Sequence, residues 1–124
     1  MTSVRQFQVT FDCAEPARVA DFWCEVLGYV KPADQPDVAV DPDGVGPRLY
    51  FQRVPEGKVV KNRVHLCVRV GTGLVGDERL AALEAECARL VPLGATRFQL
   101  LLADGEEESC LVMQDIEGNE FCLD

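Results

Sequence analysis

An α+β fold that uses one supersecondary unit twice is what this 124-residue sequence predicts. Three observations predict it. Each half runs from an alternating strand pattern into an amphipathic helix and then into three further strand patterns. Each half also carries an acidic turn ending in glycine, Asp41-Pro42-Asp43-Gly44 and Asp115-Ile116-Glu117-Gly118. A short basic connector, PEGKVVKNR, joins the halves. The expectation is one domain, 1–124, of two tandem βαβββ modules, 1–58 and 62–124.

The first strand is QFQVTF, with Phe7, Val9 and Phe11 alternating against Gln8, Thr10 and Asp12. A helix follows, with Pro16 in its first turn and Gly28 as its stop. Its apolar stripe is Val19, Phe22, Trp23, Val26 and Leu27, spaced as one helical face. Short strands are expected near Val30, over Val38 to Val40 and over Arg48 to Val54. In the second half, RVHLCVRV puts Val64, Leu66, Val68 and Val70 on one face and His65, Cys67 and Arg69 on the other. The helix DERLAALEAECARLVPLG turns Leu80, Leu83, Cys87, Leu90 and Val91 inward, and Pro92 and Gly94 end it. Strands are then expected over Thr96 to Leu102, Cys110 to Gln114 and Asn119 to Leu123. Aligning the turns, with two extra residues in the first half, sets Gln8 opposite His65 and Tyr50 opposite Cys122.

Composition excludes several classes. Twelve basic residues against 21 acidic ones give a net charge of −9, which disfavours nucleic acid and anionic membrane surfaces as partners. No apolar run reaches membrane-spanning length. The N-terminal MTSVRQFQVTF lacks the basic-then-apolar order of a secretory signal, so a cytoplasmic protein is expected. The six cysteines show no CxxC or zinc-finger spacing and are expected to be reduced. No phosphate loop, nucleophile elbow or dinucleotide fingerprint is present.

With one sheet face turned to the helix, the other carries Gln8, Thr10, Tyr50, Gln52, His65, Cys67, Arg69, Glu120 and Cys122. That set is too polar for a sealed core. If the two sheets curl together, it lines a cavity for a small organic molecule. His65 is a candidate ligand or acid–base group, and Glu120 a candidate base. Cys122 and Cys67 can be thiolate ligands, although small packed thiols are the commoner case. Arg69 can neutralise an anion or form a surface ion pair. Tyr50 can stack on a planar ligand.

The stretches FDCAEPARVADFWCEVLGY, LYFQRVPEGKVVKNRVHLCVRV, LVPLGAT and DIEGNEFCLD resemble the vicinal oxygen chelate superfamily, in its glyoxalase-like branch. The resemblance covers nearly the whole chain. It implies two βαβββ modules forming a cupped mixed sheet with helices on the outer face, often completed as a homodimer. In metal-dependent members the ligand positions correspond to Gln8, Tyr50, His65 and Cys122, and the last is usually Glu. Here Cys122 stands there and Glu120 lies two residues earlier.

A non-haem iron site wants two His and one carboxylate, and this chain has one His, so extradiol dioxygenase chemistry is disfavoured. The function expected from the residues, with what the resemblance implies, is small-molecule binding by a metal-free protein with a degraded chelate site. Gln8, Tyr50, Gln52, Cys67, Arg69 and Cys122 would contact the ligand. The alternative is a lyase or isomerase of the glyoxalase I type, using one Zn, Ni, Co or Mn ion held by His65, Gln8, Glu120 and Cys122.

Overall fold

The computed structural model describes residues 4–124. The chain forms two compact units, the first ending at Gly57 and the second beginning at Lys58. Each contains one mixed sheet and one long helix, so the class is α+β.

In the first unit, β1 (Gln8–Cys13), α1 (Pro16–Leu27), β2 (Val38–Ala39) and β3 (Arg48–Arg53) follow in order. The sheet order is β1-β3-β2, with β1 parallel to β3 and β2 antiparallel to it. The strand expected near Val30 is a single antiparallel bridge to Val40. Helix α1 begins at Pro16, whose missing N–H costs nothing in a first turn. It ends where Gly28 takes φ 70°, a conformation that side chains with a Cβ resist. Its stripe buries Val19, Phe22, Trp23 and Val26 over β2 and β3. The Phe11 ring centre lies 5.2 Å from that of Trp23 and 5.1 Å from that of Phe51, which fixes this face of the sheet as core. Phe7, expected on the same face, is largely exposed, because the β1–β3 ladder starts one residue later at Gln8↔Arg48.

In the second unit, β4 (Cys67–Val68), α2 (Gly76–Leu90), β5 (Thr96–Leu101), β6 (Cys110–Gln114) and β7 (Glu120–Leu123) follow in order. A single 3-10 turn, Val91–Leu93, closes α2. The sheet order is β4-β7-β6-β5, with β4 parallel to β7 and the other pairs antiparallel. Both units therefore set their first strand parallel beside their last.

Two expectations need correction here. The strand RVHLCVRV is ordered as a ladder only at Cys67 and Val68, and Val64 is 80% exposed rather than packed. Its partner β7 is short, so few pairing positions exist. On α2, Val91 is also exposed and Leu80 is half-buried, while Arg79 is buried in the helix's inner row.

The two acidic turns are built alike. Asp41 Oδ1 accepts from the N–H of Asp43 (2.8 Å), and its Oδ2 accepts from that of Gly46 (2.7 Å). Asp115 Oδ1 accepts from the N–H groups of Glu117 (2.9 Å) and Asn119 (3.0 Å). Each carboxylate satisfies donors that a tight turn would leave open. The second turn delivers β7 to β6 in register Val112↔Cys122.

Arg79 is the fold's unusual buried group. Its Nε and Nη2 donate to the Ser109 carbonyl (3.0 and 2.8 Å), and its Nη1 donates to the Gly71 carbonyl (3.0 Å). A Cβ on Gly71 would lie 3.0 Å from Nη1 and 3.1 Å from Cγ of Arg79, so a side chain there would crowd the guanidinium by a few tenths of an ångström. The guanidinium thereby ties α2 to the segments after β4 and before β6. Arg79→Met is expected to cost about 3 kcal/mol in urea denaturation, because two buried carbonyls lose their donor. A loss well under 1 kcal/mol would show that water replaces the guanidinium.

Candidate functional site

Sheet alternation presents one face of each sheet away from its helix. On the first sheet that face carries Gln8, Thr10 and Asp12 from β1, registered against Arg48, Tyr50 and Gln52 from β3. Gln8 donates from Nε2 to Thr10 Oγ1 (3.2 Å), and the Arg48 guanidinium donates to Gln8 Oε1. Tyr50 is half-buried and Gln52 is exposed.

On the second sheet the corresponding face carries His65, Cys67, Cys122 and Cys110. Cys67 is the direct register partner of Cys122, and His65 precedes it by two residues. The donor atoms of His65, Cys67 and Cys122 all lie within 4.8 Å of one another. His65 and Cys67 are exposed, while Cys122 is buried beneath them. Cys110 joins from β6: Val112 pairs with Cys122, so Cys110 sits diagonally on the same face. Its thiol interacts with that of Cys122. Cys110 was not expected from the sequence; the signal was the turn at Asp115, which fixes the β6–β7 register.

Burial, then the neighbouring Cys110 and Cys67 thiols and the Asp124 carboxylate, push Cys122 up to about 12. Burial likewise raises Cys67 and Cys110, with Asp124 adding to both. At neutral pH the cluster therefore consists of protonated thiols, which are poor nucleophiles.

Glu120 shares this face but has other partners. The Asn62 N–H donates to its Oε1 (2.8 Å), the Lys58 ammonium to both oxygens (3.1 and 3.2 Å), and the Gln114 amide to Oε2 (3.4 Å). Its side chain is only 11% exposed. Burial pushes its pKa up, but these donors outweigh burial and hold the carboxyl at about 2. It is neither a loose strand-end carboxylate nor, in this arrangement, a base poised near neutrality. Arg69 takes the ion-pair option, with Nε 2.9 Å from Asp124 Oδ1.

The model of the glyoxalase-like domain matches residues 8–123. This chain belongs to the glyoxalase-like domain family. Solved structures share the fold at low identity. One is a glyoxalase/bleomycin resistance protein/dioxygenase family enzyme from Burkholderia phytofirmans PsJN, 14% identical, with 94% of each chain covered and a TM-score of 0.66. Another is a mutant of the fosfomycin resistance protein FosX from Listeria monocytogenes, complexed with Mn(II) and a dihydroxypropylphosphonic acid. It is 10% identical, with 99% of this chain and 90% of that one covered and a TM-score of 0.70. A third is TioX from Micromonospora sp. ML1, 19% identical, with 97% of each chain covered and a TM-score of 0.56. Among curated proteins, none matches the chain.

A hard divalent ion prefers carboxylate, carbonyl and water oxygens, with imidazole tolerated. The second sheet of this glyoxalase-like domain instead gathers one imidazole and two thiols, and its nearest carboxylates are engaged by Lys58 and Arg69. The donor set does not fit an ion of the manganese type.

Two outcomes test these assignments. Glu120→Gln is expected to lose about 1–3 kcal/mol at pH 7 in chemical denaturation, since a charge-assisted acceptor is removed. Because the folded carboxyl sits below its ordinary 4.5, its contribution is full above that value and fades as pH falls toward 2. The variant should lack that fading, and an unchanged acid limb would remove the clasp from the account. Alkylation with iodoacetamide at pH 7.5, read by peptide mass, should label Cys67 well before Cys122. The reverse order would contradict the burial of Cys122.

Proposed function

We propose that this protein binds a small organic molecule on the polar face of its second sheet, without a hard divalent ion. The observation that carries this reading is the exposed pair His65 and Cys67, standing over buried Cys122 on a face that α2 does not cover. An imidazole, thiols and the nearby Arg69 offer hydrogen-bond, soft apolar and cationic contacts within one strand's length. Gln8, Tyr50 and Gln52 occupy the corresponding face of the first sheet and are proposed as ligand contacts on that sheet. Assembly as a homodimer belongs to the same reading, supported by the family resemblance.

The glyoxalase I type of reaction is the competing reading, supported by the fold and by His65 at a ligand position. It asks for a carboxylate where Cys122 stands, and Glu120 is committed to Lys58 and Asn62. The donor chemistry therefore favours binding over metal-assisted isomerisation.

A thermal-shift screen of metal-stripped protein tests the proposal. A true ligand at a hundred times its Kd is expected to add about 2.7 kcal/mol of stability, and His65→Ala should remove that gain. Turnover of an aldehyde–thiol adduct that requires added Mn or Ni and disappears with chelator would overturn it.

A further inference from the structure

We propose that His65, Cys67 and Cys122 form a site for a thiophilic metal ion of the Zn²⁺ class, contained wholly within the second unit. Its ligand set includes Cys67, on the first strand of the unit and two residues beyond the position where the resemblance places a ligand. The inference does not depend on the organic-ligand reading, because it concerns the donors alone.

The geometry points to such a site in three ways. First, the backbone brings the donors together. Cys67 and Cys122 are register partners on parallel strands, and the His65 imidazole lies beside their thiols. Second, the spacing suits coordination. The donor atoms already lie within 4.8 Å of one another. A tetrahedral Zn²⁺ with sulfur at about 2.3 Å and nitrogen at about 2.0 Å holds its donors about 3.5–3.8 Å apart. Side-chain rotation of about an ångström closes that gap, and rotamers of an exposed His and an exposed Cys allow it.

Third, the surroundings select for softness. Two thiolates and a neutral imidazole balance a divalent charge, so the loaded site is neutral. The thiols give their two protons to the buffer as the ion binds. The Glu120 carboxylate, which would attract a harder ion, is held aside by Lys58. Soft thiolate donors favour Zn²⁺ and Cu⁺ over Mn²⁺ and Mg²⁺. Cys110 interacts with the Cys122 thiol but lies outside this group of three, which leaves a fourth position. With three protein donors and that position open to water, the arrangement resembles the open zinc sites in which an exchangeable ligand is bound.

The test is metal titration of tag-free, demetallated full-length protein kept reduced with a phosphine. Zn²⁺ is titrated against a chromophoric chelator, and Co²⁺ serves as the spectroscopic probe of sulfur ligation. One Zn²⁺ per chain is expected, with Mn²⁺ weaker by on the order of a hundredfold or more. Co²⁺ should show a thiolate charge-transfer band. Because even outer partners of a site cost about 10–100-fold in affinity, Cys67→Ala should weaken Zn²⁺ at least about tenfold. Cys24→Ala, on α1 in the first unit, should change nothing.

His65→Gln provides a second exposed position should Cys67→Ala fail to fold, with circular dichroism checking both. Mn²⁺ binding as tight as Zn²⁺, no charge-transfer band, or Zn²⁺ affinity indifferent to Cys67→Ala would each overturn the proposal. Equal losses in Cys67→Ala and Cys24→Ala would mark adventitious thiol binding and overturn it too.

Discussion

The parallel pairing of first strand with last is the constraint on which each unit rests. Parallel neighbours cannot be joined by a tight turn, so a helix and further strands must intervene. In the first unit the pairing sets Thr10 against Tyr50; in the second it sets Cys67 against Cys122. The two registers agree position for position, with Gln8 and His65 each two residues ahead of the paired residue. A slip of one residue would exchange Cys122 for Phe121, turning a fully buried ring onto the polar face. The hydrophobic cost of that exchange keeps the thiols and the imidazole together.

Much of this was legible in the sequence, because period and turn chemistry are local signals. The stripe of α1 was visible from Val19 to Val26 by spacing alone, and the turn at Asp115 by its Asp and Gly. The equivalence of Gln8 with His65 and of Tyr50 with Cys122 followed from aligning the two turns, and the registers of the ladders carry the same correspondence. What stayed hidden was decided by pairing across the chain. Val64 reads as an inward strand residue, yet β7 is too short to extend a ladder to it. Arg79 reads as a solvated helix residue, yet two carbonyls from separate loops meet at its guanidinium. Glu120 reads as a candidate base, and nothing in its own strand announces Lys58 and Asn62.

Carboxylates and thiols divide the second sheet's polar face between them. Glu120 and Asp124 are both on it, and both are matched to a cation, Lys58 and Arg69. A buried carboxylate left without such partners would be protonated or costly. Its donors keep Glu120 ionised and occupy both of its oxygens. The donors gathered together on the face are nitrogen and sulfur, so it differs chemically from an oxygen-rich chelate although the fold is shared.

Glu120 nevertheless shapes the site. His65 lies outside the two-residue ladder of β4, so regular pairing does not fix its backbone. Three residues upstream, Asn62 is held by two bonds to Glu120, one from its N–H to the carboxylate and one from its side-chain amide to the carbonyl. Two residues downstream, Cys67 is held by its pairing with Cys122. The imidazole is thus suspended between two anchors, both of which end on β7. Loss of the Glu120 carboxylate would leave Asn62 with only its amide bond to the Glu120 carbonyl, while Leu66, next to His65, keeps the bond it accepts from the Cys122 N–H. A carboxylate two residues from the ligand position therefore acts on the site through the backbone of His65, as a positioning residue. Its bonds to Lys58, Asn62 and Gln114 explain how a carboxylate can remain on the polar face of this sheet.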